Sequence, residues 1–443
     1  MQSIDSKSDP YARLTRELGV FGAVMMGLGA MVGTGVFVSI GVAAGATGAS
    51  VILAVVLAAA VATCNALSSA QLAASHPVSG GTYEYGYRYL SPSLGFTAGW
   101  MFLCAKSASA ATAALGFSGY LLSLLGWNTD ALVWVALAGV VAFTLLVLAG
   151  IRRSSWANIL IVSVTLAALI AFVATGLPDV LANGTRTLVP FFPAGGIEGT
   201  RGFLYATALM FVAFTGYGRI ATMGEEVTDP RRNIPRAIVA TIIVAAVLYT
   251  LVAVVAIGLA GAAQFAAAAR DHATPLAAAA RGLGQPWVAS LVAVGAVTAM
   301  LGVLLNLILG LSRVALAMGR RGDLPDVFAR LHGQDRTPSA AVVGVGIAVC
   351  ALALTGSVET TWAFSAFTVL IYYALTNLAA LRLPRAERLY PRAVAVSGLV
   401  ACLSLAFWVP VRIWTAGLAL IAVGLLWHAV ATRSRARRSA DTK

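Results

Sequence analysis

The chain has 443 residues, 59% of them hydrophobic and only 11% charged, with a mean hydropathy of +0.87. A soluble domain carries about a quarter charged residues, so this composition excludes a water-soluble enzyme, a disordered chain and a disulfide-stapled secreted module. The net charge of +13 would suggest nucleic acid in a soluble protein, and basic loops on one face of the bilayer in a membrane protein.

A lipid-spanning helix needs about 20 mostly apolar residues. Such runs begin near Leu18, Ser50, Gly95, Ala131, Ser154, Gly202, Arg236, Trp287, Ala340, Thr361, Ala393 and Trp414, which predicts an all-α polytopic membrane protein of about 12 transmembrane helices. The polar first seventeen residues are not expected to act as a cleavable signal. The four cysteines, Cys64, Cys104, Cys350 and Cys402, each sit in an apolar run and read as small buried residues. No metal site or cofactor is expected.

Twelve spans put both termini on one side, and 22 of the 30 Lys and Arg residues fall on that side, against five on the other. This asymmetry predicts cytoplasmic termini in a plasma (cell inner) membrane, and the nucleic-acid reading falls away. The bilayer is then a partner of the chain, with the basic tail held near anionic headgroups. Two longer loops face outward, 177–201 and 261–286, and the second is alanine-rich enough for a short surface helix.

Span one contains the run Gly27 to Gly35, in which Gly27, Gly29, Gly33 and Gly35 are glycine. Each glycine weakens a helix by roughly 1 kcal/mol relative to alanine. Small-residue helix packing would explain the run, but span six carries a second cluster, Phe214-Thr215-Gly216-Tyr217-Gly218. Both lie about 14 residues, roughly 21 Å, into their spans. Paired interruptions near the midplane, five spans apart, point to an inverted-repeat transporter. Amides at Gly33, Thr34 and Gly35 would face an anionic group at a half-helix start, and unwound carbonyls would accept an ammonium. A zwitterionic amino acid fits both.

Further motifs then resemble those of the amino acid–polyamine–organocation permeases. Gly29 to Phe37 resembles that family's first-helix signature, Pro77 to Tyr83 its loop after helix two, and Gly224 to Pro230 with Arg232 to Arg236 its signature after helix six. Ser312-Arg313, Met318, Gly322, Leu324-Pro325 and Thr337-Pro338 resemble the end of helix eight. The resemblance implies a LeuT-type 5+5 inverted repeat plus two peripheral helices. Its divisions would be a cytoplasmic segment 1–17, repeats 18–177 and 202–382 around an outward loop 178–201, peripheral helices 393–431 and a tail 432–443. It also implies secondary active transport of amino acids by alternating access, coupled to protons or possibly Na+, or by exchange. Ala30, Met31, Gly33, Thr34 and Gly35 with Phe214, Thr215, Gly216, Tyr217 and Gly218 would line the substrate site. Phe214 and Tyr217 would be placed to close over a bound side chain.

Two departures from the family bear on mechanism. The fifth span lacks the lysine that several relatives use in proton coupling, where Ser163 or Val164 would stand. Gly218 and then Arg219 follow the second break, where cation-selective relatives carry an acid. Neutral amino acids are the better expectation.

Lys106 lies about 13 residues into span three, where an uncompensated charge costs several kcal/mol. It reads as a coupling residue or, more simply, as a brace donating to exposed carbonyls. Arg219 with Glu225 or Glu226 is the expected cytoplasmic gate, and Arg313 is expected to snorkel or to pair with loop acids rather than touch substrate. A channel or a non-transporting nutrient sensor remains an alternative. Catalysis is not expected, since no nucleophile–base pair, metal cluster or phosphate loop is present.

Overall fold

The computed structural model describes residues 19–77, 80–150, 155–183, 186–192, 195–221, 227–331 and 337–441. Among them the architecture is all-α, without a sheet. The first span is split into α1 (Val20–Met31) and α2 (Ile40–Thr47), joined through a π-helical turn at Gly35–Ser39. α3 (Val51–Ser75), the short α4 (Thr82–Tyr89), α5 (Pro92–Leu125), α6 (Leu132–Leu148) and α7 (Ser155–Asn183) follow. The sixth span is also divided, into α8 (Gly196–Ala213), a 3₁₀ turn at Thr215–Tyr217 and α9 (Gly218–Ala221). Then come α10 (Pro230–Ala260), α11 (Ala262–His272), α12 (Pro275–Arg281), α13 (Pro286–Arg321), α14 (Ser339–Ala353), α15 (Val358–Leu381), α16 (Arg392–Ala406) and α17 (Val411–Asp441).

The twelve predicted runs correspond to α1–α2, α3, α5, α6, α7, α8–α9, α10, α13, α14, α15, α16 and α17. Nine helical segments among the described residues are long and apolar enough to cross a bilayer, one of them joining α2 to α3; α1, α14 and α16 are apolar but shorter. Several helices outrun their apolar cores, most at α8 and α10, whose first turns are polar. Local sequence sets the ends. Ser91 accepts from the Leu94 amide ahead of α5, Pro92 occupies its first turn, and Gly126 closes it in the left-handed region.

The spans sort by burial. In α5 and α15, 78% of the apolar window is buried inside the protein, against 17% in α6 and α17. The first pair is central and the second faces lipid. The central helices carry the hydroxyls: Ser109 and Ser365 lie 2.8 Å apart, and Thr112 donates to Thr361 at 2.8 Å. A lipid-facing helix has no such freedom, because an unsatisfied polar group in hydrocarbon is costly.

The loop after span seven differs from the expected surface helix. It forms two helices, and α12 is buried through Pro275, Leu276, Ala277, Ala279 and Ala280. The Leu276 amide donates to the Tyr120 hydroxyl at 3.3 Å, and that hydroxyl donates to the Phe37 carbonyl at 2.8 Å. Alanine content gave a helix but could not show that small side chains let it sink between α10 and α13. The outward loop also starts later than residue 178, since α7 continues to Asn183 through Pro178.

Candidate functional site

Two helix interruptions meet at the centre of the bundle. α1 stops at Val32, whose backbone is extended (φ −82°, ψ 96°). The Gly33 carbonyl then accepts from both Val36 and Phe37 amides at 3.1 Å, opening the π-helical turn. The second interruption is milder than unwinding: the Phe214 amide donates to Phe211 at 3.1 Å, and the chain tightens into one 3₁₀ turn. Contact between them requires glycine. A Cβ on Gly216 would stand 2.6 Å from the backbone of Ala30 and Met31, and one on Gly35 would stand 2.5 Å from the Ala213 Cβ.

Lys106 on α5 reaches this junction. Its Nζ donates to Thr215 Oγ1 at 2.9 Å, and the same hydroxyl donates to the Val212 carbonyl at 2.8 Å. The lysine therefore contacts the second break, through a side chain, rather than bracing carbonyls of the first. Tyr373 donates to the Thr215 carbonyl at 3.2 Å, and Tyr249 to the Met31 carbonyl at 2.7 Å. Each interrupted helix thus has a carbonyl capped by a phenol from another span. Thr34 Oγ1 is buried and has no protein partner among the described residues.

A narrow cavity of about 40 Å3 lies against both breaks, lined by Ala30, Met31, Thr34, Gly35, Lys106, Ser109, Thr215, Val303, Leu307 and Trp362. A wider one of about 230 Å3 continues from Ala30, Lys106, Thr215, Gly216 and Gly218 to Gly80, Tyr83, Arg219, Asn306, Arg313 and Tyr372. Its far end lies beside α4, on the side that holds most of the Arg residues. A third cavity of about 890 Å3 opens on the opposite side, lined by Glu198, Arg201, Arg270, Glu359 and Arg412. Between the narrow and the third cavity the Trp362 indole donates to the Leu209 carbonyl at 2.9 Å, joining α15 to α8. The seam is closed there.

Nine predicted residues line the two connected cavities: Ala30, Met31, Thr34, Gly35, Lys106, Thr215, Gly216, Gly218 and Arg219. Gly33, Phe214 and Tyr217 do not. Gly33 packs on Val303. Phe214 and Tyr217 are fully buried, turned onto Tyr249 (centroids 5.1 Å) and Tyr373 (5.4 Å). In this conformation neither stands over the cavity. Glu225 and Glu226 lie outside the described residues, as does the segment 1–17. Arg313 is exposed and also lines the wider cavity.

On the fifth span, Ser163 is exposed and Val164 half-buried. Asn158 and Val162 meet the first helix: Asn158 Nδ2 donates to the Met25 carbonyl at 3.0 Å, and both side chains fill the space left by Gly29. Sequence reading also passed over Trp362, Val303, Asn306, Tyr249 and Tyr373. Asn158 and Asn306, asparagines in apolar spans, were the visible signals, since polar side chains inside a span are costly.

The family described as "Amino acid permease" matches residues 22–440. Over 435 residues the chain is 41% identical to an uncharacterized transporter of Mycobacterium tuberculosis, covering 97% of this chain and 95% of that protein. It is 31% identical over 359 residues to the branched-chain amino acid permease of Bacillus subtilis, covering 77% and 75%. It is 27% identical over 391 residues to a vacuolar cationic amino acid transporter of Arabidopsis thaliana, covering 82% and 64%.

Proposed function

Since the chain belongs to the amino acid permease family, we propose that it is a secondary active transporter of neutral amino acids, working by alternating access between 5+5 inverted repeats. Lys106 is the coupling residue in this reading. The observation that carries it is the contact of Lys106 Nζ with Thr215 Oγ1, 2.9 Å, where the two interrupted helices meet a closed seam and a cavity.

The substrate carboxylate would sit at the amides that open the second half of span one, near the unpartnered Thr34 hydroxyl, because a helix start concentrates unsatisfied N–H groups. Relatives bear names for branched-chain and for cationic substrates, so membership alone does not choose. The lining supports a neutral side chain: Lys106 and Arg313 contribute positive charge, and no carboxylate is among the described lining residues. A cationic side chain would meet like charge at close range in a site of low dielectric. Val303, Leu307 and Trp362 crowd the narrow part, which suits a small or aliphatic side chain.

The basic side is taken as the cytoplasm of a plasma membrane, so the cavity opens inward. A proton on Lys106 would hold Thr215 and the second interruption; its departure would release them. Uptake of radiolabelled amino acids into proteoliposomes, with imposed proton or sodium gradients, tests the whole reading. Accumulation of a neutral amino acid driven by a proton gradient is expected. Accumulation of arginine in preference to leucine and alanine would overturn the substrate class, and a sodium gradient acting where a proton gradient does not would overturn the coupling.

A further inference from the structure

On the basic side a second apolar cluster stands apart from the main core: Tyr83, Phe96 and Met318 are buried together, with Tyr87, Trp100 and Leu324 against them. A carboxylate is buried beside it. Asp323, 1% exposed, follows α13, and its Oδ2 accepts from the hydroxyls of Tyr83 at 2.7 Å and Tyr87 at 2.6 Å, both on α4. Its Oδ1 faces His428 Nδ1 on α17 at 3.3 Å. Trp427 Nε1 donates to the Asp323 carbonyl at 2.8 Å, and the His428 ring stacks on Phe96 with centroids 4.7 Å apart. A buried carboxylate is tolerable only where partners replace its lost water. Here they come from α4 and α17.

α4 matters to the transport path, since Gly80 and Tyr83 line the far end of the wider cavity. We infer that Asp323 and His428 form a proton-operated latch, in which a protonated imidazole fixes the carboxylate that holds α4 at the cavity mouth. With the proton gone the charge attraction is lost and the carboxylate beneath the two phenols is held less firmly, so that α4, still tied by Thr82 to Tyr372 and Thr376 and by Glu84 to Arg321, gives way more readily at the mouth. The device lies far in sequence from Lys106 and would sense the compartment on its own side of the membrane.

Among side-chain types imidazole is the one that exchanges a proton between about pH 5 and 8, and the neighbouring groups do not offer a second. Burial, and then the Asp323 carboxylate, push the Tyr83 phenol well up, so it stays a neutral donor. Arg321, at the end of α13, pairs with Glu84 at 2.7 Å and lies 4.0 Å over the Tyr87 ring. From α5 the apolar Phe96, Trp100 and Leu103 pack at this cluster, and α15 meets α17 nearer its start, where Phe367 packs on Gly417. The other histidine near α4 is His76, beside Arg88 at 3.2 Å; burial and then Arg88 hold it below the usual histidine range.

Hydrogen–deuterium exchange of the α4 amides, on the full chain in lipid nanodiscs without substrate, reads the latch independently of transport, so the latch and the transporter reading can fail separately. After correction for intrinsic exchange, protection of residues 82–89 should fall several-fold from pH 6 to pH 8. His428→Gln should abolish that difference and His76→Gln should keep it. Asp323→Asn, nearly isosteric, should give weak protection at both pH values. Equal α4 protection at pH 6 and pH 8 in the unmodified chain, which requires no variant to fold, would overturn the latch; so would an undiminished difference in His428→Gln.

Discussion

Lys106 and Thr215, 109 positions apart, are joined by a 2.9 Å hydrogen bond at the point where the sixth span narrows to a 3₁₀ turn. Because Thr215 also donates to the Val212 carbonyl, the ammonium acts on the last turn of α8 through one hydroxyl. Lys106→Met should preserve the fold and remove the pH dependence of substrate binding or exchange, and Thr215→Val should weaken that dependence without abolishing it. A wild-type pH profile in proteoliposomes containing Lys106→Met would reduce the lysine to a structural strut.

Thr34 offers a cleaner separation of binding from stability. Its hydroxyl is buried with no partner among the described residues, so Thr34→Val removes a desolvated polar atom at nearly constant volume. Thermal stability without substrate should be unchanged or higher. Substrate affinity should fall by about tenfold or more, since a hydrogen bond to a charged group contributes about 1.5–3 kcal/mol. A thermal-shift titration measures both, and unchanged affinity would remove Thr34 from the site.

The glycines are not equivalent. Gly216→Ala places a Cβ 2.6 Å from the backbone of Ala30 and Met31, whereas Gly310, which also lines the cavity, has open space around it. Gly216→Ala should therefore abolish uptake, and Gly310→Ala should retain it within about threefold of wild type, since nothing need move. Parallel uptake assays decide, and equal loss in both variants would contradict the close approach of the two helices.

Trp362 combines a wall with a tie. Trp362→Phe removes the bond to the Leu209 carbonyl while keeping a large ring, and should raise leak or exchange from the opposite side. Trp362→Ala should in addition widen the narrow cavity and shift preference toward larger side chains, each methylene accommodated being worth about 1–3 kcal/mol. Competition with alanine, leucine and phenylalanine reads the shift. An unaltered order of preference in Trp362→Ala would mean that the side chain lies elsewhere.

The sequence by itself determined the number and order of the apolar runs, the bias of positive charge to one side, the glycine clusters at Gly33–Gly35 and Gly216–Gly218, and the exceptional position of Lys106. These are local properties: the bilayer filters each segment for length and apolar content before any packing occurs. Tertiary structure decided which face of each helix meets the cavity. Phe214 and Tyr217 sit in the same short cluster as Thr215, yet they turn onto Tyr249 and Tyr373, while the hydroxyl between them meets Lys106. Hydropathy cannot separate a side chain that packs from one that lines, because inside a membrane bundle both are bought from the same small set of apolar residues. Trp362, Val303 and Asn158 became part of the site, or its support, through the rotation of spans distant in sequence. The same holds for Asp323, just past the end of α13, and His428, inside α17, which the docking of α17 against α4 and α5 brings within 3.3 Å.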